Sequence, residues 1–318
     1  MITLVTGGAG FIGSSLVDRL LAAGHEVHVV DDLSTGSRAN LEAAHAAHGD
    51  RLEVHERDIR DPSVAELIAG LEPEVIFHLA AQIDVRVSVA DPARDAAINV
   101  IGSLHVLEGA RQGGTRKVVF ASSGGTIYGE PDPALLPIDE SLPQRPVSPY
   151  GVAKKVVSDY LYAYQQIYGL DFTSLALANV YGPRQDPHGE AGVVAIFAGL
   201  LLDRKPCRIF GSGEQTRDFV YVDDVADAFF RAADPARASA LVVNIGTSVE
   251  TSVLELYQAM AEAAGVDSPP VHEPARPGEL ARSALATGRA LEALGWEPRT
   301  DLPTGALATL EWFRARRA

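Results

Sequence analysis

Cysteine is nearly absent from this chain: Cys207 is the single one in 318 residues. That excludes an intrachain disulfide and a thiolate metal site. No two of the nine histidines have the spacing of a helical zinc motif, so no metal is expected. Long apolar runs are missing as well. The longest candidate, residues 193–202, is about half of the ~18 residues that a membrane span requires and contains Gly199. Basic residues are scarce, with 27 Lys+Arg against 42 Asp+Glu and a formal net charge of −15. A nucleic acid held through its phosphates needs a basic footprint. Nucleic acid and anionic membrane are therefore excluded as principal partners. A small anion gripped by two or three arginines in a cleft is not. The start, Met1-Ile2-Thr3-Leu4-Val5, has no basic region and runs straight into glycines. It reads as a first strand rather than a signal peptide, and a cytoplasmic location is expected.

What is present is an ordinary globular composition, 47% apolar and 22% charged. The length predicts about two domains, or one large α/β domain with a cap. Short β-branched runs at 2–6, 26–30, 52–55, 75–79 and 117–122 alternate with helical patterns at 14–23, 63–71 and 95–112. Such alternation predicts parallel strands joined by right-handed crossovers, an α/β fold with a doubly wound sheet. Residues 172–178 read as a further strand. Helices follow at 223–233, 252–264 and about 304–315. The domain boundary is placed near 178. A segment at about 225–247, with a strand at 241–245, is expected to return to the first domain, leaving the smaller second one (179–318) discontinuous.

Thr6-Gly7-Gly8-Ala9-Gly10-Phe11-Ile12-Gly13 follows the first strand and opens the first helix. In that context the glycines have separate uses. Gly7 allows a tight turn, Gly10 lets a pyrophosphate approach the backbone, and Gly13 lets helix and strand pack closely. The helix N-terminus then receives the anion. Asp31, 18 residues after Gly13, falls where an acid meets the adenosine ribose. A carboxylate there would repel a 2′-phosphate, so NAD is expected over NADP. Asp58-Ile59, after the third strand, falls where an adenine amine can be capped. The first domain is thus read as a Rossmann-type NAD-binding unit.

Tyr150 and Lys154 stand at i and i+4 and share a face if helical. With four Lys and nine Tyr in the chain, chance supplies about 0.1 such pairs. A free tyrosine has a pKa near ~10 and is a poor base at neutral pH. An ammonium and a nicotinium charge nearby supply the missing phenolate stabilisation. Ser148-Pro149 just ahead is a helix start. Ser122-Ser123-Gly124-Gly125-Thr126 follows the fifth strand, at the carboxyl end where open α/β sheets bind ligands.

Together with His78-Leu79-Ala80-Ala81-Gln82, Asn179-Val180-Tyr181-Gly182-Pro183-Arg184-Gln185, Thr216-Arg217-Asp218-Phe219-Val220-Tyr221 and Arg276-Pro277-Gly278-Glu279, these motifs resemble the extended short-chain dehydrogenases/reductases. Within them the chain is similar to the NAD-dependent sugar-nucleotide epimerase/dehydratase family, above all to its short bacterial members that epimerise UDP-glucose at C4. The resemblance covers nearly the whole chain. It implies that Gly7, Gly10, Phe11, Ile12 and Gly13 lie at the pyrophosphate, Asp31 at the ribose, and Asp58 and Ile59 at the adenine. Leu79, Ala80, Ala81 and Asn99 would line the cofactor. Ser123, Tyr150 and Lys154 would be catalytic, the last two also touching NAD. Asn179, Val193, Phe210, Arg217, Arg276 and Glu279 would meet the UDP-sugar together with Ser123 and Tyr150. It also implies a homodimer through a four-helix bundle built from 95–112 and 150–168. Tyr160, Tyr164 and Tyr168 form a stripe there that fits interface or core equally.

Three features depart from the family pattern. Ala176 and Leu177 replace a common Arg-Tyr, Ala286 replaces a frequent Asp, and an extra loop residue leaves Ser122, Ser123 and Thr126 in competition, with Ser123 favoured. Dehydrating and decarboxylating relatives carry acids after the catalytic hydroxyl. Here Gly124-Gly125 carry none, which points to epimerisation of UDP-glucose/UDP-galactose. Ser283, where longer epimerases have a bulky tyrosine, leaves room for N-acetylated sugars. The alternatives are UDP-glucuronate 4-epimerisation, a 4-keto reductase and a non-catalytic NAD-binding regulator.

Overall fold

Five short β-branched runs become neighbouring strands of one sheet, from its interior out to one edge. The computed structural model describes residues 1–187, 192–275 and 280–317. Its strands β1 (Ile2–Thr6), β2 (Glu26–Asp31), β3 (Leu52–Glu56), β4 (Val75–His78), β5 (Lys117–Ser123) and β6 (Asp171–Leu177) are joined by a seventh, Leu241–Ile245. All pair in parallel, and Leu241–Ile245 adds to β6. From one edge the order is Leu241–Ile245, β6, β5, β4, β1, β2, β3. The chain leaves β1 toward β2 and β3, then returns to the other side of β1 with β4. The strand order therefore reverses between β1 and β4, and this crevice is where open parallel sheets bind ligands.

Both faces of the sheet are covered, so the strands are apolar nearly throughout. Val5, Val29, Phe77 and Val119 face the Phe11–Ala22 and Val222–Ala232 helices, while Leu4, Val30, Ile76 and Val118 face those at Ser63–Leu71 and Gly102–Gln112. All eight are fully buried, each contributing about 1.5–3 kcal/mol relative to exposure. A separate apolar cluster unites the helices Val193–Leu202, Val253–Ala264 and Leu302–Ala315 around Phe197, Tyr257, Leu310 and Phe313. Among the described residues, no helix is long and apolar enough to cross a membrane.

The helix expected at 95–112 is not uniform. A short α-helix, Pro92–Ala96, runs into one turn of π-helix at Ala97–Ile101 before the α-helix Gly102–Gln112. Such π turns recur at functional sites, and this one carries Asn99. The tyrosine stripe on the Pro149–Tyr168 helix turns partly inward. The Tyr164 hydroxyl donates to Glu108 Oε1 at 2.6 Å, and Tyr168 packs edge-on against Tyr164 and beneath Arg111. Tyr160 is exposed.

Candidate active site

The glycine loop lies at the sheet's switch point. Gly7 sits at φ +71°, and a Cβ on it would stand 2.7 Å from the Ala80 nitrogen. Only glycine lets the loop after β1 pass so close to the loop after β4. A Cβ on Gly13 would lie 2.1 Å from the Gly7 oxygen. Gly10 starts the Phe11–Ala22 helix with no side-chain cap and no acid in the first turn. The donor set is thus a bare helix N-terminus beside a glycine cradle, which suits a pyrophosphate. At the end of β2, Asp31 is buried and accepts from the Ala9 and Leu33 N–H groups, both at 2.9 Å. Burial raises its pKa above the usual carboxylate value. Two of its roughly four lone-pair sites remain for ribose hydroxyls. These residues fit NAD.

Asp58 is held by Arg60 through both carboxylate oxygens, and that pairing pulls its pKa down. The Ile59 side chain is committed to the core, where Gly102 makes room for it. The Ile59 carbonyl oxygen lies 2.9 Å from His105 Nδ1. Leu79, Ala80 and Ala81 follow the carboxyl end of β4, and Ala80 and Ala81 are half-buried there.

Behind them runs a polar chain that the spacing of single residues does not reveal. Thr6 Oγ1 meets His78 Nδ1 at 2.7 Å, His78 Nε2 meets Ser103 Oγ at 2.8 Å, and Ser103 donates to the Asn99 carbonyl. Burial drives the His78 pKa down to about 3, so the ring is a neutral tie between β1, β4 and the helix beyond. The Asn99 side chain clamps the Gln82 backbone, donating to its carbonyl at 2.9 Å and accepting from its N–H at 2.8 Å. Asn99 and Gln82 also donate to Asp95 Oδ1, while Asp95 Oδ2 is buried without a hydrogen-bond partner.

Ser148 caps the Pro149–Tyr168 helix by accepting from the Gly151 N–H, with Pro149 in the first turn. This fixes the helix whose buried face carries Tyr150 and Lys154. Lys154 Nζ donates to the Ala121 carbonyl of β5 at 2.8 Å, lies 4.8 Å from the Phe120 ring centre and 5.7 Å from that of Tyr150. Desolvation lowers its pKa to about 7, opposed by the charge of Asp95. Ser123 is half-buried at the end of β5, whereas Ser122 Oγ is sealed in without a partner. Of the two, only Ser123 can reach a ligand. A Cβ on Gly124 would come 2.3 Å from Leu285 Cδ1, so a side chain there requires Leu285 to shift, whereas Gly125 has nothing within 4 Å.

Sequence and structure meet here. A model of the NAD-dependent epimerase/dehydratase family matches residues 3–246. The chain belongs to this family. Its relative from Mycolicibacterium smegmatis, named UDP-glucose 4-epimerase, is 52% identical over 99% of both chains. The UDP-glucose 4-epimerase of Thermotoga maritima, solved with UDP-glucose, superposes with a TM-score of 0.94 at 46% identity and full coverage of both chains. That of Thermus thermophilus, solved with NAD, gives 0.89 at 42% identity and 99% coverage of both.

Of the remaining positions expected from the family resemblance, Asn179, Val193, Phe210 and Arg217 fall on separate short elements. Asn179 is exposed on a strand (Asn179–Tyr181) that pairs with Phe219–Tyr221, and its N–H donates to the Asp218 carbonyl. Val193 opens its helix, Phe210 ends the strand Arg208–Phe210, and Arg217 is half-buried on a two-residue strand paired with Thr251–Ser252. Arg276 and Glu279 lie outside the described residues. Ser283 is buried.

Proposed function

We propose that this chain interconverts UDP-glucose and UDP-galactose, with NAD retained throughout the cycle. The observation that carries the reading is the Tyr150–Lys154 pair, buried on one helix face against the carboxyl end of β5. The chemistry that bound NAD would supply is reversible acceptance of the C4 hydride. Tyr150, as phenolate, removes the proton of the C4 hydroxyl and later returns it. Lys154 supplies the positive charge that holds the phenolate. Ser123 shares the proton path. Arg217 and Arg276 grip the diphosphate while the 4-keto sugar turns between them, since guanidinium forks match phosphate oxygens. Gly7, Gly10, Phe11, Ile12, Gly13, Asp31, Asp58, Ile59, Leu79, Ala80 and Ala81 are assigned to the cofactor, with Asn99 holding the loop beneath it. Asn179, Val193, Phe210 and Glu279 are assigned to the nucleotide sugar. The small Ser283 favours acceptance of N-acetylated sugars as well.

The same reading includes a homodimer. Ile101, Val152 and Ile167 are 48%, 46% and 67% exposed on the two helical segments expected to form a four-helix bundle with a second copy. Light scattering on the purified protein is expected to give twice the chain mass, and a monomer would overturn this part.

The test is to purify the protein without added cofactor, release and assay NAD, and incubate the intact protein with UDP-glucose. One NAD per chain, UDP-galactose as product and no net NADH are expected. Bound NAD without conversion would move the assignment to UDP-glucuronate. An empty protein that consumes added NADH would overturn the retained-cofactor cycle.

A further inference from the structure

Three metal-capable side chains stand together at the outer edge of the sheet, away from the Tyr150–Lys154 pair. His28 on β2 is directly opposite Glu53 on β3, and His55 follows two residues later on the same face. His28 Nδ1 is 3.1 Å from His55 Nε2 and 3.6 Å from Glu53 Oε2. The two rings stack with centres 5.4 Å apart and planes 19° off parallel. One ligand atom from each of the three residues lies within 4.8 Å of the other two.

Two readings of the 3.1 Å contact compete. In one, His55 Nε2 carries a proton and donates it to His28 Nδ1. In the other, both nitrogens present lone pairs to one ion. A tetrahedral zinc ion with bonds of about 2.0–2.1 Å sets its ligand atoms roughly 3.3 Å apart, so the two nitrogens are already near the required spacing. The opposite side of His28 decides its tautomer. His28 Nε2 faces Glu26 Oε1 at 3.4 Å, an arrangement that keeps the proton on Nε2 and the lone pair on Nδ1, toward His55. A carboxylate behind a ligating imidazole is the usual outer partner of a metal-bound histidine. The Glu53 side chain is largely exposed and leaves an open approach, with room for a water as fourth ligand.

We propose that His28, Glu53 and His55 form a site for one zinc-class divalent ion, with Glu26 as its outer partner. When the ion binds, the His55 proton moves from Nε2 to Nδ1, and the ion ties β2 to the edge strand β3. β2 ends in Asp31 and β3 leads into Asp58, so the metal braces the two strands that present the adenosine-facing acids.

The test uses the full-length protein with its NAD, stripped of metal by chelator and titrated calorimetrically with zinc chloride. Saturation at one ion per chain is expected, with a zinc-dependent rise in Tm. Cobalt(II) should give the intense visible bands of a four-coordinate ion. His55→Gln should abolish the one-site isotherm. Glu26→Gln, on an exposed side chain that does not ligate, should weaken it by roughly 10–100-fold. If buried His28 proves too disruptive to replace, Glu53→Gln gives a second ligand deletion. No saturable binding, or binding unchanged in both His55→Gln and Glu53→Gln, would overturn the proposal.

Discussion

Replacing Asp95 by Asn should move the alkaline limb of the pH–rate profile without unfolding the protein. Lys154 must be an ammonium to hold the Tyr150 phenolate. Its surroundings are the Ala121 carbonyl, the Phe120 and Tyr150 rings, the neutral His78 and the carboxylate of Asp95. Burial pushes the Lys154 pKa down to about 7, and Asp95 pushes it up. Removing that negative charge therefore lowers it further, so deprotonation and loss of activity begin at a lower pH. Coupling to a nearby opposite charge is worth up to about 1–3 pKa units. Above the wild-type limb, Asp95→Asn should thus be roughly 10–1000-fold slower, while the two enzymes converge at acid pH. The amide retains acceptor capacity for Gln82 and Asn99 at its oxygen, so the clamp survives in part. The assay is kcat/KM for UDP-glucose between about pH 5 and 9, alongside thermal melts, with Asp95→Glu as the charge-preserving control. A profile that drops evenly at every pH, or one that superimposes on wild type, would refute the electrostatic coupling. Stability is linked with the opposite sense. The unfolded lysine keeps its proton up to about pH 10.5. Between about 7 and 10.5 the unfolded chain therefore binds more protons, and this group's destabilisation is full below 7 and fades as pH rises.

Further outcomes follow from the same geometry. Tyr150→Phe should lose about 10²–10⁴-fold in turnover while retaining bound NAD, measured by release after denaturation; near-normal turnover would remove Tyr150 as the base. Gly13→Ala puts a Cβ 2.1 Å from the Gly7 oxygen, an overpacking of about 1–3 kcal/mol. It should lower Tm by several degrees and yield protein without NAD. Arg217→Gln should raise KM for the UDP-sugar by about 10–100-fold, the scale of a charge-assisted hydrogen bond, with a smaller change in kcat; an unchanged KM would take Arg217 out of the diphosphate grip.

Much of this was legible in the chain itself because the chemistry depends on local spacing. A glycine loop needs its glycines in one turn, and a Tyr–Lys pair needs one helical turn, so Gly7–Gly13 and Tyr150–Lys154 are visible as strings. Strand–helix alternation revealed the parallel sheet for a similar reason: apolar runs on β1, β2, β4 and β5 are buried on both faces. The choice among the hydroxyls was not legible, because Ser122 and Ser123 differ only in which side of β5 each faces. Nor could the string show that Leu285 packs against Gly124, an approach across 161 positions of chain. The tie from Thr6 through His78 and Ser103 to Asn99, and the bare oxygen of Asp95, exist only once β1, β4 and the π turn are assembled. His28 and His55 lie 27 residues apart, a spacing no metal motif uses. The parallel register of β2 and β3 alone sets their nitrogens side by side. Local geometry writes itself into sequence spacing, whereas contacts made across a sheet depend on register, which the folded strands decide together.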